Sequence, residues 1–334
     1  MPLVSVIVPC YNEQATILLL LDSIRQQTFP IHDVEVVIAD GQSTDGTRNE
    51  IVTFQKAHPE LAIRLVDNPK RVIPAALNCA LAAAVGKFIV RLDAHSMPST
   101  DYIERCVEHL QMGQGENIGG VWEIQPRGQG LFQRAIAIAA SHPFGVGDAR
   151  YRYATRAGYV DTVPFGAFRR EIFEQYGYFD ENLLTNEDYE FNARLRQNGG
   201  RIWLDPRIRS TYFARPDLAA LRKQYWRYGY WKWQMLRRYP KTLRWRQALP
   251  PMFVSGLILL LGLALFWVPA RFLLAFVVLL YVLVILIGSI PAAVRQKDIR
   301  LAIAVPLAIA TMHLSWGSGF LWSLVTSIFR APKS

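Results

Sequence analysis

Cysteine is scarce in this sequence, which has three such residues among 334. Cys10, Cys79 and Cys106 are odd in number and widely spaced, so they form neither a disulfide framework nor a metal-binding pattern. We therefore expect the protein to work in a reducing compartment. The N-terminus lacks a basic segment followed by an apolar stretch and a cleavage site, and we expect no signal peptide. Internal repeats and low-complexity segments are absent as well.

Acidic residues are nearly absent beyond residue 206. Residues 1–206 hold 19 lysines and arginines against 25 acids, residues 207–246 hold twelve against one, and residues 247–334 hold six against one. The formal net charge of +10 is therefore concentrated in a short basic belt, residues 207–246. A nucleic-acid-binding protein would spread its cations over a folded face, so this pattern argues against that class. It favours a surface that meets anionic lipid headgroups, and we expect membrane lipids as partners.

Three long stretches after the basic belt lack charged side chains. No charge occurs in residues 252–270 or 272–294, and His313 is the single ionisable residue in 301–329. Each stretch is long enough to cross about 30 Å of hydrocarbon at about 1.5 Å per residue. Buried helices of a soluble domain are the alternative, but such helices keep polar residues on one face. We predict transmembrane segments at about 252–270, 272–294 and 301–326, within a membrane region of residues 251–334.

The cations between these segments predict their orientation. Residues 295–300 contain three cations between the second and third segments, whereas Arg271 is the only one between the first two. The positive-inside rule then places the N-terminal domain and the 295–300 loop in the cytoplasm, as in a multi-pass inner-membrane protein. A third full span would leave Arg330 and Lys333 outside, so a re-entrant or tilted third segment around residues 317–319 is an alternative.

The first 206 residues alternate between short apolar runs and helix-like stretches. Because strands that alternate with helices of this length form parallel sheets, we predict an α/β domain with a doubly wound, mostly parallel sheet over residues 1–206. Residues 207–250 are predicted to form basic and aromatic interfacial helices. Ligands of such sheets bind at the carboxyl ends of the strands. The predicted strands are 4–8, 34–40, 63–67 and 88–93, and the predicted helices are 15–27, 47–58, 74–85 and 100–110.

Acidic side chains stand where two of these strands end. Asp40 closes the second strand before a turn that leads into a helix, and Asp93 closes the fourth, followed closely by His95. Each is weak evidence by itself, because an acid at a strand end also serves in Asx turns and helix N-caps. Asp93 and His95 can both reach one cation where the backbone turns. A hard divalent cation beside a diphosphate needs only one or two protein ligands, since phosphate oxygens complete its coordination.

Taken together and in this order, such segments resemble the family 2 glycosyltransferases, which have the GT-A fold. The resemblance covers roughly residues 3–230, and the apolar C-terminal region looks like that of the succinoglycan-biosynthesis type of this family. Each piece is common, but the set is specific. The pieces are residues 9–13 (PCYNE), 40–47 (DGQSTDGT), Asn78 with Gly86, 93–95 (DAH), 163–170 (VPFGAFRR), 179–181 (FDE) and 186–188 (NED).

The resemblance implies a binding site for a nucleotide sugar. Pro9, Tyr11 and Glu13 would line the nucleoside pocket, where Tyr11 offers an aromatic face and Glu13 accepts hydrogen bonds from ribose hydroxyls. Asp40 would accept the imide N–H of uracil, so a UDP-sugar is the expected donor substrate.

A metal–diphosphate site is implied as well. Asp93 would bind Mn²⁺ or Mg²⁺, which would neutralise the departing nucleoside diphosphate. His95 replaces the second aspartate of the usual Asp-x-Asp; a neutral imidazole can bind metal and favours Mn²⁺ over Mg²⁺, but its direct ligand role stays open. Arg71 would contact a phosphate, with Lys70 as the competing choice.

The pair Glu187 and Asp188 opens a helix-like stretch, residues 188–198. Acids are favoured near the N-terminus of any helix, so a purely structural role for this pair is the alternative. The resemblance implies that Asp188 is the general base that deprotonates the acceptor hydroxyl, with Glu187 and Asp161 supporting it on the acceptor side. One base and one metal-bound leaving group imply a single in-line displacement with inversion. Residues 165–167 would form the floor beneath the donor sugar.

Gln224, Arg227 and Tyr228 resemble the Gln-x-x-Arg-Trp element of membrane polysaccharide synthases, with Tyr228 in place of tryptophan. That element holds the acceptor sugar and diphosphate near the membrane face, so we expect these residues to bind the acceptor. Aromatic side chains and cations interleave here, which also fits an interfacial amphipathic helix. His313, inside an apolar run, is expected either to contact a lipid phosphate or to form a helix–helix hydrogen bond.

The expected activity is metal-dependent, inverting transfer of a hexose from a UDP-sugar to a polyprenyl-diphosphate-linked saccharide at the cytoplasmic leaflet, as in exopolysaccharide assembly. Three apolar segments are too few for the channel of a processive synthase, so we expect one sugar to be added per encounter. Two alternatives stay open. One is a polyprenyl-phosphate sugar transferase, whose lipid phosphate needs no base, and the other is a membrane scaffold with a catalytically inactive domain.

Overall fold

The computed structural model describes residues 1–329, and the chain divides into two compact units. The first unit comprises Met1–Glu123 and Tyr153–Tyr212, and the second comprises Ile124–Arg152 and the chain from Phe213 onward. The contacts thus place residues 124–152 in the C-terminal unit. The predicted domain boundary at residue 206 was based on function rather than on contacts, and it stays a prediction. Arg330 and Lys333, which entered the topology argument, lie outside the described residues.

The first unit is built on a nine-stranded mixed sheet. Its strands are β1 (Val4–Cys10), β2 (Val34–Asp40), β3 (Ala62–Asp67), β4 (Phe88–Arg91), β5 (Met97–Pro98), β6 (Asn117–Gln125), β7 (Gly158–Tyr159), β8 (Ala167–Arg169) and β9 (Ile202–Phe213). The order is β3-β2-β1-β4-β8-β6-β9-β5, and β7 pairs with β9. The first four strands pair in parallel, and β8 pairs antiparallel with both β4 and β6.

The predicted α/β fold is confirmed. The helices of the first unit are α1 (Ile17–Arg25), α2 (Thr47–Ala57), α3 (Ile73–Ala83), α4 (Tyr102–Gln111), α7 (Glu171–Tyr176) and α8 (Glu187–Gln197). The first four strands and first four helices match the predicted segments within a few residues at each end. Every residue of β1 and β2 is buried, as expected for strands of a parallel sheet covered on both faces. The antiparallel half of the sheet was not predicted.

The second unit is helical. Its helices are α5 (Leu131–Ser141), α6 (Pro143–Val146), α9 (Leu218–Arg238), α10 (Trp245–Ala264), α11 (Val268–Arg295) and α12 (Leu301–Phe329). The last three are long and apolar enough to cross a membrane. Helix α12 is half buried among the others, whereas α10 and α11 expose most of their apolar side chains, as helices that face lipid would.

The predicted bounds of the first apolar segment, 252–270, need correction. Helix α10 begins at Trp245, continues through two prolines and ends at Ala264, and α11 begins at Val268. The prediction extended the segment through the charge-free stretch up to Arg271. Pro269, however, lies in the first turn of a new helix, because its fixed φ suits that turn and its missing N–H is not needed there. The re-entrant break considered around residues 317–319 does not occur within the described residues, since α12 is continuous to Phe329.

Helices α9 and α12 approach so closely that only glycine fits at their contact. A Cβ on Gly229 of α9 would lie 2.0 Å from the carbonyl oxygen of Trp316. A Cβ on Gly319 of α12 would likewise lie 2.1 Å from the carbonyl oxygen of Trp226. The two backbones therefore touch at two reciprocal points, which fixes the position of α9 along α12.

A buried hydrogen bond joins α4 to β9. His109 Nε2 lies 2.8 Å from the carboxylate of Asp205, which also accepts hydrogen bonds from Arg207, and Asp205 is 1 % exposed. Burial by itself would raise the pKa of Asp205, but the hydrogen bonds from Arg207 and His109 outweigh it and lower the pKa to about 2.

We expect Asp205→Asn to lower the free energy of unfolding by about 3 kcal/mol, since it leaves His109 buried opposite a weaker acceptor. A lowered carboxyl pKa stabilises the fold above the unfolded value, near 4, and this stabilisation is lost as pH falls toward 2. Thermal unfolding of the full chain in detergent, at several pH values, measures both effects. Asp101→Asn, at a half-buried carboxylate paired with Arg105, is the matched control; equal losses in both variants would contradict the assignment.

Candidate active site

The carboxyl ends of three parallel strands lie level at one edge of the sheet. Cys10 of β1 is in register with Asp40 of β2, and Asp40 is in register with Asp67 of β3. The loops after β1 and β2 are joined, because the backbone N–H of Asn12 donates to Ser43 Oγ at 2.8 Å. The loops after β1 and β2 therefore meet at the edge where open α/β sheets bind ligands.

Asp40 is fully buried beneath these loops. Ser43 donates twice to its carboxylate, from the backbone N–H at 3.1 Å and from the hydroxyl at 2.5 Å. The guanidinium of Arg48 lies 3.5 Å from Asp40 and 2.8 Å from Asp67. A carboxylate has about four acceptor positions, so these contacts leave capacity for another donor. The role of Asp40 toward uracil stays a prediction.

Glu13 and His95 form a pair across the same edge. His95 Nδ1 lies 2.9 Å from Glu13 Oε1, and Thr16 donates to the other oxygen of Glu13 at 2.5 Å. Burial would raise the pKa of Glu13, but the hydrogen bonds from His95 and Thr16 outweigh it and lower the pKa. Glu13 was predicted to bind the ribose, and in this structure both of its oxygens also serve neighbouring side chains.

Arg91 connects the predicted metal ligand to the predicted catalytic pair. Its side chain is 5 % exposed, and Nη2 lies 3.2 Å from Asp93 Oδ1 and 3.0 Å from Glu187 Oε1. Burial raises the pKa of Glu187 to about 7, and the charge of Arg91 acts against this rise. Arg91 was not predicted as a site residue. The available signal was a cation within an otherwise apolar strand, which needs a charged partner when the strand is buried.

Two of the predicted acceptor-side acids lie at the start of α8. Glu187 and Asp188 occupy its first turn, after Asn186 in the left-handed conformation with φ 71°. The hydroxyl of Tyr189, one position further, donates to Asp161 Oδ2 at 3.4 Å. Asp161 thus contacts the residue that follows the Glu187–Asp188 pair, and the catalytic roles of all three acids stay predictions.

Residues 165–167 form a tight turn that leads into β8, which begins at Ala167. Phe165 has φ 62° and Gly166 has φ 103°, both in the left-handed region. A Cβ on Gly166 would lie 2.6 Å from Asn117 Oδ1 and 2.7 Å from the Phe168 ring, so glycine is required for space as well as conformation. Such close packing is what the predicted floor beneath a donor sugar would need.

The two candidate phosphate contacts differ in their partners. Lys70 Nζ lies 2.5 Å from Glu181, an acid that neutralises its charge. Arg71 donates to the neutral amide oxygen of Gln42, with Nη2 at 2.6 Å. Arg71 therefore keeps its positive charge uncompensated by this contact, which favours it over Lys70 as the phosphate ligand.

The predicted acceptor residues Gln224, Arg227 and Tyr228 lie on α9 in the second unit. Gln224 Nε2 donates to the hydroxyl of Tyr228 at 2.9 Å, as residues four apart on a helix can. His313 of α12 lies 3.0 Å from the hydroxyl of Tyr281 on α11. Of the two expectations for His313, the helix–helix hydrogen bond is the one observed.

The donors around Asp93 fit a cation that takes most of its ligands from a substrate. Within residues 1–329, no three histidine, cysteine or acidic side chains are grouped to hold a metal ion by themselves. The Asp93 side chain is 27 % exposed, and His95 lies nearby in sequence with its Nδ1 2.9 Å from Glu13 Oε1. A carboxylate and an imidazole suit Mn²⁺ when diphosphate oxygens supply the remaining ligands.

An α/β domain with acidic side chains at the carboxyl edge of its sheet has the arrangement in which α/β enzymes bind their ligands, and comparison with known proteins identifies the family. Residues 5–177 match the model of glycosyl transferase family 2. The chain belongs to this family. It is 31 % identical over 325 residues to the succinoglycan biosynthesis protein ExoA of Rhizobium meliloti, an alignment that covers 94 % of this chain and 93 % of that protein.

Other relatives extend over the same length. A glucuronosyltransferase of Methanococcus voltae, named for a dolichyl N-acetylglucosaminyl phosphate, is 28 % identical over 97 % of this chain and 98 % of its own. The mannosyltransferase of Pyrobaculum calidifontis, solved with GDP-Man and Mn²⁺, has a TM-score of 0.64 at 22 % identity, covering 97 % and 87 % of the two chains. Residues 1–349 of TarS of S. aureus, solved with UDP-GlcNAc, have a TM-score of 0.51 at 21 % identity, covering 67 % and 66 %. These structures attest the GT-A fold.

Proposed function

We propose that this glycosyltransferase moves a hexose from a UDP-sugar to a sugar hydroxyl of a polyprenyl-linked saccharide, with inversion, at the cytoplasmic face of the inner membrane. One observation carries the proposal. Polar contacts lie along the edge of the sheet in two sets. Asp40 contacts Ser43, Ser43 accepts from the backbone N–H of Asn12 and His95 pairs with Glu13 on the predicted donor side, whereas Arg91 contacts both Asp93 and Glu187 beside the predicted base. These contacts support the proposal that the nucleoside, metal and base positions belong to one site.

The chemistry of this site is a single displacement. Asp188 takes the proton of the acceptor hydroxyl as its oxygen bonds to the anomeric carbon. The bond from that carbon to the nucleoside diphosphate breaks at the same time, and its electron pair leaves with the diphosphate. A metal ion at Asp93 would act as a Lewis acid on the leaving diphosphate. The chain supplies Arg71 for a phosphate oxygen, and Arg91 holds Asp93 and Glu187 in fixed positions.

The nature of the acceptor is supported by two observations. The Methanococcus voltae relative is named for a lipid-linked sugar phosphate as its acceptor, and ExoA is named for succinoglycan biosynthesis. The three apolar helices and the basic belt would hold the enzyme at a membrane surface, where such an acceptor resides. The cations of residues 295–300 favour a cytoplasmic catalytic domain.

A screen of UDP- and GDP-sugars tests the donor. The full chain in detergent, with Mn²⁺ and a membrane lipid extract, is expected to release nucleoside diphosphate from at least one UDP-sugar and from no GDP-sugar at a comparable rate. Turnover of GDP-sugars alone would overturn the assignment of Asp40 to uracil. No turnover of any donor, together with no thermal shift by UDP and Mn²⁺, would instead support the catalytically inactive scaffold.

A further inference from the structure

A cleft in the second unit involves none of the residues assigned above. Its volume is about 480 Å³, and one face of α5 lies opposite one face of α11. Both faces show the spacing i, i+3, i+4, i+7 that places side chains on one side of a helix. The residues are Arg134, Ala137, Ile138 and Ser141 of α5, and Gly288, Pro291, Ala292 and Arg295 of α11.

The cleft has two arginines at one end and no arginine, lysine or acid elsewhere in its lining. Arg134 forms an ion pair at 3.0 Å with Asp298, which lies three residues after the end of α11, so Arg134 and Arg295 share that end of the cleft. At the opposite end His142, which follows α5, donates through Nε2 to the carbonyl oxygen of Gly288 at 3.1 Å. The floor between the two ends consists of small apolar residues.

This polarity runs along the axis of a predicted transmembrane helix. Arg295 is the last residue of α11, whose preceding residues back to Phe272 carry no charge. The cationic end of the cleft therefore lies where α11 would leave the membrane. Gly288 lies seven residues earlier, about 10 Å deeper at the usual rise per residue. A molecule that fills the cleft must be anionic at the surface and apolar below it.

We infer that this cleft binds the phosphate headgroup of a membrane lipid, with the guanidinium groups of Arg134 and Arg295 on the phosphate and the first carbons of the chain against the floor around Ala292. Guanidinium groups suit phosphate because their N–H donors match its oxygens in pairs. Asp298 is paired with Arg300 as well as with Arg134, so the surroundings keep an excess of positive charge. The same phosphate chemistry is presented by a polyprenyl phosphate and by an anionic phospholipid.

The inference extends the proposed function, since a lipid-linked acceptor carries such a phosphate. It rests on the proposed function in one respect, which is that α11 lies in the membrane. The test is native mass spectrometry of the full chain in detergent, titrated with polyprenyl phosphate, phosphatidylglycerol or phosphatidylcholine. We expect Arg295→Gln and Ala292→Phe to weaken binding of the phosphate lipid at least tenfold, the first by removing a cation and the second by filling the floor. Lys297→Gln, two residues from Arg295 but not lining the cleft, is the matched control and is expected to change binding less than twofold.

Each outcome of the lipid-binding experiment supports or contradicts the inference. Preferential binding of polyprenyl phosphate supports the cleft as an acceptor-lipid site, and equal binding of phosphatidylglycerol supports it as a site for bulk anionic lipid. Equal effects of Arg295→Gln and Lys297→Gln, or undiminished binding in Ala292→Phe, would overturn the inference. Thermal unfolding of each variant shows that it is folded. No donor sugar is present in this assay, so its failure leaves the donor screen unaffected.

Discussion

Asp188→Asn is expected to lower kcat for transfer to a sugar hydroxyl by about a hundredfold to ten-thousandfold, the usual contribution of a general base. An asparagine at the start of α8 keeps the size of the side chain but cannot take the proton of the acceptor. The KM for the donor is expected to change little, because the base acts on the acceptor. Steady-state release of nucleoside diphosphate, with a lipid-linked saccharide as acceptor, measures both constants.

The matched control is Glu171→Gln. Glu171 is an exposed acid in the first turn of α7, so this variant removes a carboxylate from an equivalent helix position outside the site. Its kcat is expected to stay within a factor of two. Nearly full activity of Asp188→Asn would instead favour the polyprenyl-phosphate sugar transferase, whose acceptor phosphate is already deprotonated at neutral pH.

Asp93→Asn is expected to abolish stimulation by Mn²⁺ and to lower kcat about a thousandfold or more, because Lewis-acid assistance to a leaving group contributes several kcal/mol. Binding of Mn²⁺ in the presence of UDP, followed by calorimetry, gives a readout that does not depend on turnover. Binding is expected to be lost in Asp93→Asn. Unchanged affinity for Mn²⁺ would refute the metal assignment.

Two further variants accompany this experiment, one to test the role of His95 and one as a control. His95→Ala separates the open possibilities for the imidazole: a direct ligand would weaken Mn²⁺ binding at least tenfold, and a bystander would leave it unchanged. Asp101→Asn is the control, since Asp101 is a half-buried carboxylate paired with Arg105 and outside the site. It is expected to bind Mn²⁺ as the unaltered chain does.

The parallel half of the sheet was predictable because each of its strands is a short apolar run with a helix-like stretch after it. The antiparallel half was not, because β8 has only three residues and pairs with strands distant in sequence. A strand is predicted from the alternation of apolar and polar residues along it, and a strand of three residues is too short to show such an alternation. Its position is set by the tertiary packing around Gly166.

The site was predictable to a similar degree. Asp40 ends β2 and Asp93 lies two residues after β4, and their places in the sequence alone predicted this edge of the sheet. The contact between Arg91 and Glu187 joins residues 96 positions apart, and no local pattern reports a bond of that kind. The predicted end of the first apolar segment was wrong for a different reason. The prediction was based on the absence of charge, whereas the local conformation of Pro269 determines where the next helix starts.

The reciprocal glycine contacts between α9 and α12 make α12 a molecular ruler. Gln224 and Tyr228 are on the same helix as Gly229, and Gly229 is held against Trp316. The 18 residue steps from Leu301 to Gly319 span about 27 Å of helix and separate this contact from the start of α12. Because both glycines pack directly on backbone carbonyl groups, these two contacts set the positions of Gln224 and Tyr228 along α12.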